Sequence, residues 1–313
     1  MIVTFTANPA LDRTITLGAA LRPGEVQTAD SVREDAGGKG VNVSRVVAVA
    51  GVETIAVLPI AVDDPYGPIV AAAGVPMRAV PVARHVRTNL TIADHEGVTT
   101  KINLSGEPLA DADAVAVTAA VVEACEGARW LVLAGSLPGG VADSFYVDIA
   151  EAVRTRWGGD APRIAVDTSG PALREVVERG AADLIKPNDE ELVELTGLAL
   201  DEGVLADAVH RVARRIVPAR AASALVTLGG AGAVLVTAEG AWFAEAPRIK
   251  VASTVGAGDS SLAGYLLAEL TGLAPAARLQ SAIRYGAAAA SLPGTQAPTP
   301  ADLGTGDIAV RSL

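Results

Sequence analysis

The segment from Ser253 to Ser260, with the sequence STVGAGDS, carries the residues best suited to chemistry. Its two glycines let the backbone approach a ligand closely. A helical pattern follows at once, so unpaired N–H groups and the positive end of a helix dipole would face that ligand. This arrangement predicts an anion hole, with Asp259 placed to accept a proton from an attacking hydroxyl. A plain glycine turn with Asp259 as the helix N-cap is the alternative.

A second glycine-rich segment, GGKGVN at residues 37–42, also precedes a helical pattern. It is not a Walker A loop, because Arg33 stands where that pattern needs its first glycine and Gly40 where it needs Ser or Thr. A glycine-flanked lysine still suits a ligand that carries hydroxyl and phosphate groups. The alternative is a turn that begins a helix and exposes Lys39 to solvent.

Further polar segments follow predicted strands. Asp12, in NPALD after the first strand, suits bidentate bonding to sugar hydroxyls, or forms an ordinary Asx turn. Asn188 and Glu191, three residues apart in KPNDEE, fit either Mg²⁺ held through water or a helix capping box. The glycines of TLGGAG at residues 227–232 leave bare backbone for a nucleotide, or make a tight turn, and GSLP places the Ser136 hydroxyl at a strand end.

The elements that must position these segments alternate between β-rich runs and helical patterns. Strands are predicted at Ile2–Thr6, Thr54–Leu58, Trp130–Ala134, Arg163–Asp167, Ala182–Ile185, Ala224–Thr227 and Ala233–Thr237. Helices are predicted at Val41–Ala50, Asp111–Ala124, Ser144–Arg156, Ala172–Glu178, Glu190–Thr196, Val204–Val217, Asp259–Leu270 and Ala276–Ala290. This alternation indicates an α/β fold with a mostly parallel sheet covered on both faces.

Two stretches, Leu11–Thr28 and Thr88–Asn103, interrupt the alternation with polar residues between apolar ones. The runs LTIAD and TTKIN, on either side of His95-Glu96-Gly97, predict a hairpin. A small sheet built from both stretches would act as a lid over a site at the strand ends. No linker separates two units, so residues 1–313 are interpreted as one domain with lid segments at about 11–28 and 88–103.

The composition argues against several classes of protein. A net charge of −11 and only 3% aromatic residues argue against a nucleic-acid partner. The single cysteine, Cys125, rules out an internal disulfide framework and is predicted to be a buried thiol. No signal peptide pattern and no run of 18 apolar residues occurs, which favours a cytoplasmic protein without a membrane span.

Taken in this order, the segments resemble those of the ribokinase-like superfamily, specifically the PfkB carbohydrate kinases, from Met1 to about Pro300. NPALD and GGKGVNVSR are most similar to bacterial 1-phosphofructokinases and tagatose-6-phosphate kinases. The resemblance implies a three-layer α/β/α sandwich with a small β-sheet lid, dimerisation through that lid, and ATP with Mg²⁺. The reaction expected is phosphorylation of a phosphorylated ketose, most simply fructose 1-phosphate to fructose 1,6-bisphosphate.

The resemblance also implies a role for particular residues. Catalysis is assigned to Asp259 as base, with Gly256, Ala257 and Gly258 as the anion hole. The sugar side is assigned Asp12, Gly38, Lys39, Asn42, Arg87, Asn103 and Ser136. The ATP side is assigned Lys186, Asn188, Thr227, Gly229 and Gly232, with Glu191 in a magnesium-linked N-x-x-E feature that acts through water.

Local cations must offset the net charge of −11 if the sugar is anionic, and Lys39, Arg87 and Lys101 are placed to do so. The alternative for Arg87 and Lys101 is that they are solvated lid residues. Two departures from the family pattern stand out: Thr28 where relatives often carry a basic residue, and residues 60–63 where they tend to have a glycine pair. The first bears on whether two subunits share a phosphate site.

Other functions remain open on the sequence alone. The acceptor could be tagatose 6-phosphate, fructose 6-phosphate, an unphosphorylated sugar or a nucleoside. A non-catalytic sugar- or nucleotide-binding regulator on the same fold is a second class, although an intact GAGD at residues 256–259 argues against it. A homodimer is predicted because apolar lid residues need cover: Leu17, Val26, Leu90, Ile92 and Ile102.

Overall fold

The computed structural model describes residues 1–200 and 203–313. Its strands are β1 (Ile2–Thr6), β2 (Ala10–Thr16), β3 (Ser31–Gly37), β4 (Thr54–Ile60), β5 (Met77–Pro81), β6 (Arg87–Ala93), β7 (Thr99–Asn103), β8 (Trp130–Ala134), β9 (Arg163–Asp167), β10 (Ala182–Ile185), β11 (Ala221–Thr227), β12 (Ala233–Thr237), β13 (Ala241–Ala244) and β14 (Val310–Ser312). Its α-helices are α1 (Lys39–Val49), α2 (Tyr66–Ala72), α3 (Asp111–Ala124), α4 (Phe145–Trp157), α5 (Gly170–Glu178), α6 (Asp189–Thr196), α7 (Leu205–Ala213), α8 (Ala257–Leu270) and α9 (Pro275–Ala290).

The central sheet has ten strands in the order β14-β13-β12-β11-β10-β9-β8-β1-β4-β5. From β5 to β11 neighbouring strands run parallel, and the last three strands are added antiparallel. The runs IVTFT and WLVLA are buried at every position because helices cover both faces of a parallel sheet. The three-layer α/β/α prediction is therefore confirmed.

Each face of the sheet has its own apolar core. On one face α3 to α7 pack on the strands through residues such as Tyr146 and Leu173. On the other face α1, α8 and α9 pack through residues such as Val43 and Leu262. Cys125 is a buried free thiol, as predicted. Within the described ranges, no helix is both long and apolar enough to cross a membrane.

The lid is a separate four-stranded sheet in the order β3-β2-β6-β7. The predicted hairpin is confirmed: β6 and β7 pair antiparallel, with Leu90 opposite Ile102. The prediction of the first lid stretch was partly wrong, because Leu17–Thr28 forms no strand and the lid instead uses Ser31–Gly37. That strand reads SVREDAG, whose charges hide the alternation that a sequence pattern relies on.

The remaining differences between the predicted and the observed elements lie at element ends and sheet edges. The helix predicted at Val204–Val217 ends at Ala213, followed by short turns before Pro218, since a residue that precedes proline disfavours helical geometry. Five elements were not predicted: α2, β3, β5, β13 and β14. All five are seven residues or shorter, and all except β13 lie at a sheet edge or beside the lid, where apolar periodicity is weak.

Candidate active site

The carboxyl ends of the parallel strands define one edge of the sheet, and the predicted polar segments follow strands at that edge. The connections lead from β1 outward to β4 and β5, then return to β8 on its other side. In open α/β sheets ligands bind at the point where the strand order reverses in this way. The lid strand β2 follows β1 directly, so the lid lies next to this crevice.

The GAGD segment builds the start of α8. Gly256 precedes the helix in a left-handed conformation (φ 77°), and Ala257 and Gly258 are its first two residues. Asp259 is the third residue, is 7% exposed, and makes no capping bond, so the N-cap alternative is wrong. The first N–H groups of a helix lack partners within it, which suits a phosphoryl group in transfer.

The GGKGVN segment meets GAGD at the bottom of the crevice. Asn42 Nδ2 donates to Asp259 Oδ2 at 2.8 Å, which joins α1 to α8. Gly40 packs on Thr6 so closely that a Cβ at Gly40 would stand 2.6 Å from the threonine hydroxyl. Gly38 has a φ of 127°, which other residues rarely adopt. These glycines therefore let the start of α1 approach β1 and reach Asp259.

A buried carboxylate, Asp167 at the end of β9, lies between the two lysines of the predicted site. Lys39 Nζ donates to Asp167 Oδ1 at 2.7 Å, and Lys186 Nζ lies 3.1 Å from Oδ2. Lys186 is 5% exposed and lies beneath Gly258, where a Cβ would stand 3.3 Å from its Nζ. A single carboxylate thus ties the sugar-side lysine to the ATP-side lysine. Lys39 stands at the helix start with its side chain 36% exposed, as the alternative expected, but an ion pair holds it.

Burial and neighbouring charges shift the pKa values of the two carboxyl groups of this cluster in opposite directions. Burial raises the pKa of Asp259 to about 6, and the charge of Asp167 adds to this, while Lys39, Lys186 and the bond from Asn42 oppose it. Burial also acts to raise the pKa of Asp167, but Lys186 and Lys39 outweigh it and the pKa falls below its ordinary value. Asp167 is therefore held ionised, and the raised pKa of Asp259 would suit a group that accepts a proton near neutral pH.

The sugar-side prediction centres on the lid. Asn89 Nδ2 donates to Asp12 Oδ1 at 2.8 Å, and a Cβ at Gly37 would collide with the Asp12 carboxylate, 2.2 Å away. Burial raises the pKa of Asp12, opposed by Asn89 and Arg87. Strand register puts Asp12, Asn89 and Asn103 in one row on one face of the lid, with Arg87 on that face one row nearer the sheet.

Three of the residues predicted to bind the sugar are more exposed than Asp12 and Asn89. Lys101 and Asn103 lie on β7, the exposed outer strand of the lid, and Ser136 is exposed just after β8. Lys101 shares the face of Asn103, two residues away along the strand. The structure places these side chains around the crevice but does not bring them into the cluster at Asp167.

Four of the five residues predicted to bind ATP line one cavity of about 480 Å³, and the fifth, Lys186, does not. Asn188, Thr227, Gly229 and Gly232 line it together with Gly258. The ends of β10 and β11 meet here, because the Thr227 N–H donates to the carbonyl of residue 187 at 3.0 Å. An apolar part of the wall comes from the loop before α8 and from α9: Ala246, Pro247, Ile249, Val251, Ile283, Ala287 and Ala290. Asp189, Glu190, Thr254 and Ser261 add polar groups to the wall.

The Asn188 and Glu191 pair forms a capping box. Asn188 Oδ1 accepts the Glu191 N–H at 2.6 Å, and Glu191 Oε2 accepts the Asn188 N–H at 2.9 Å. In the described part of the chain, no group of three His, Cys, Asp or Glu residues is arranged to hold a metal. The capping-box alternative is therefore formed, and a magnesium contact through water at Glu191 stays a prediction.

The sequence reasoning missed Asp167 and Asn89, which hold the predicted residues in place. Asp167 is the last residue of a predicted strand, and an acid at a buried strand end was the available signal. Asn89 had no such signal, because its partner Asp12 lies 77 residues away. The apolar wall of the cavity beside Gly258 was missed because helical periodicity does not tell a cavity wall from a core face.

Comparison with known proteins agrees with this geometry. The model of the pfkB family carbohydrate kinases matches residues 6–302. A 1-phosphofructokinase of Rhodobacter capsulatus is 36% identical over 91% of this chain and 90% of its own. An ATP-dependent 6-phosphofructokinase isozyme 2 of Mycobacterium tuberculosis is 33% identical over 95% of this chain and 86% of its own. Phosphofructokinase-2 from Escherichia coli in complex with fructose-6-phosphate superimposes with a TM-score of 0.85, at 28% identity, over 96% of both chains.

Proposed function

Because this chain belongs to the pfkB family of carbohydrate kinases and is an ATP-dependent sugar kinase, we propose that it phosphorylates a ketose that already carries a phosphate. The acceptor proposed is fructose 1-phosphate, and the product is fructose 1,6-bisphosphate. The 1-phosphofructokinase relative and the phosphofructokinase-2 complex with fructose-6-phosphate support a phosphorylated acceptor. Both substrates are intracellular solutes, so the reaction would take place in the cytoplasm.

The observation that carries this proposal is the buried Asp259 at the start of α8, beside the charged cluster and the nucleotide cavity. In the proposed reaction the oxygen of the acceptor hydroxyl attacks the γ-phosphorus of ATP, and Asp259 accepts the proton of that hydroxyl. The bond to the oxygen between the β- and γ-phosphates breaks, and ADP leaves. The N–H groups at Gly256–Gly258 would face the transferring phosphoryl group.

The lysines of the cluster would act on both sides of the transfer. Lys39 would lie against the sugar and Lys186 against the phosphates, each oriented by the ionised Asp167. Asp12, held by Asn89, would accept bonds from the sugar hydroxyls and fix the attacking oxygen in line. Catalysis would then rest on positioning and electrostatics, as phosphoryl transfer generally does.

Magnesium is proposed with ATP. Glu191 would hold the hydrated ion through a water, and the ion would neutralise phosphate charge. The capping box already uses Glu191 Oε2, which fits an indirect contact better than a direct one.

The test is a steady-state comparison of kcat/KM, with saturating MgATP, for fructose 1-phosphate, fructose 6-phosphate, tagatose 6-phosphate, fructose and ribose. We expect fructose 1-phosphate to be the best acceptor. A preference for tagatose 6-phosphate would keep the phosphate pocket and change the substrate, whereas a free sugar that exceeds every phosphosugar would refute the pocket. Arg87→Ala should raise KM for the phosphosugar far more than KM for ATP; equal effects would place Arg87 elsewhere.

A further inference from the structure

Arg84, in the loop between β5 and β6, is a buried cation that the mechanism above does not use. It is 4% exposed. Its Nη1 donates to Asn8 Oδ1 at 3.3 Å and to the Glu107 carbonyl at 3.0 Å, and its Nη2 donates to the Ala7 carbonyl at 2.9 Å. All three acceptors are neutral, so these bonds orient the guanidinium without cancelling its charge.

No ion pair within residues 1–200 and 203–313 includes Arg84. The carboxylates of Asp113 and Glu107 act on it only from a distance, and burial lowers its pKa. A buried charge without a counterion is costly, because the charge loses its hydration and receives no direct Coulombic compensation. An anion that binds beside such a residue during function would supply the missing counterion and offset this energetic cost.

Arg87 brings a second cation to the same place. Its Nε donates to the Asn8 carbonyl at 3.4 Å and its Nη1 to the Leu104 carbonyl at 3.4 Å, again both neutral acceptors. It is half-buried, and no described ion pair includes it either. The two guanidinium groups therefore meet at Asn8, just after β1 and at the point where the strand order reverses. Arg87 also lies on the lid face that carries Asp12 and Asn89.

We propose that Arg84, through Asn8, is a positioning residue that makes the acceptor site at Arg87 favour a sugar carrying a phosphate ester. Arg87 contacts the phosphate. Arg84 is a positioning residue: it supplies positive potential from beneath and holds the Asn8 side chain in place. The inference rests on the proposed function, in which the acceptor is a phosphosugar. It adds a specificity residue, Arg84, outside the glycine-rich motifs.

The variants that test this separate charge from structure. Arg84→Met removes the cation and its bonds, while Arg84→Lys keeps the cation. Asn8→Asp replaces the side-chain amide with a carboxylate of nearly the same shape. The Arg84 guanidinium already donates to this side chain, so the new carboxylate would neutralise its charge. Arg78→Met is the matched control, since Arg78 pairs with Glu123 near the amino end of β5, the sheet edge opposite the site.

For each variant, kcat/KM is measured for fructose 1-phosphate and for fructose, together with competitive inhibition by inorganic phosphate against the phosphosugar. Arg84→Met and Asn8→Asp should each reduce the preference for the phosphosugar about tenfold, as expected for losing one nearby charge at a partly buried site. Both should weaken inhibition by phosphate and leave KM for ATP within about twofold. Arg84→Lys should recover most of the preference, and Arg78→Met should retain it.

Equal losses for fructose 1-phosphate and fructose in Arg84→Met and Asn8→Asp would overturn the proposal and make Arg84 a structural residue only. If Arg84→Met does not fold, Asn8→Asp alone decides, and an unchanged preference in it overturns the proposal. Failure of the proposed function looks different, because the unmodified enzyme itself would then prefer fructose to every phosphosugar.

Discussion

Asp259→Asn should abolish most activity and yet make the folded protein more stable at neutral pH. The folded-state pKa of Asp259 is raised from 3.8 to about 6 by burial and by Asp167. A carboxyl group with a raised pKa favours folding while it is protonated, and that contribution is lost as the pH rises through the folded pKa. Above about pH 6 the ionised carboxylate therefore lowers the stability of the folded protein, whereas an uncharged amide of the same shape does not.

The magnitude follows from the shift. About two pKa units correspond to about 3 kcal/mol, so Asp259→Asn should gain up to that amount at pH 8 and almost nothing near pH 4. The bond from Asn42 survives, because the amide oxygen of the variant can still accept it. Loss of the base should lower kcat by about two to four orders of magnitude. This is the expected conflict between stability and activity at a charged site.

The assay is equilibrium urea unfolding of parent and variant at pH 4.5, 6 and 8, beside steady-state kinetics. Asp143→Asn, which removes an exposed carboxylate, is the control and should change neither quantity. A stability difference between parent and Asp259→Asn that is the same at every pH would refute the electrostatic reasoning. A near-normal kcat in the variant would refute the assignment of Asp259 as the base.

Further predictions concern titration, assembly and the nucleotide cavity. In the parent enzyme kcat/KM should fall as the pH drops below about 6, because the base becomes protonated; a flat kcat/KM profile from pH 5 to 8 would contradict this. Light scattering should give a dimer mass for the parent and a monomer mass for Ile102→Glu on the apolar lid face, with Val115→Glu on α3 unchanged; a monomeric parent would end the dimer prediction. Gly232→Ala should destabilise the protein by about 2 kcal/mol or more and raise KM for ATP, because its Cβ would stand 2.0 Å from the Ala244 carbonyl at a φ of 119°. Gly230→Ala in the same turn meets open space and should be nearly neutral, and equal effects would contradict the steric argument.

The strand register shows which of the apolar residues named for the dimer prediction share one face of the lid. Leu90, Ile92 and Ile102 share one face of the lid, opposite the face of Asp12 and Asn89. Leu17 is buried within the subunit and Val26 is fully exposed in a loop, so neither belongs to that face. The predicted contact surface therefore contains three of the five residues chosen from the sequence.

Much of this protein is determined by its sequence alone. Continuous apolar runs such as WLVLA specify buried parallel strands, because only a sheet covered on both faces can bury every side chain of a strand. Local motifs also set local geometry: GAGD begins α8 with a left-handed glycine, and Asn188 with Glu191 caps α6. Signals of this kind act within a few residues, so a single sequence is enough to find them.

Only the tertiary structure decided how those motifs work together. The central carboxylate, Asp167, lies 128 residues from Lys39, and Asn42 lies 217 residues from Asp259. The pKa of Asp259 depends on burial and on those distant charges, neither of which a local pattern contains. The position of Arg84 beneath Asn8 likewise follows from the packing of a loop against β1. Contacts between segments far apart in the chain arise when the sheet is assembled, which is why local motifs could be found in the sequence and the charge network between them could not.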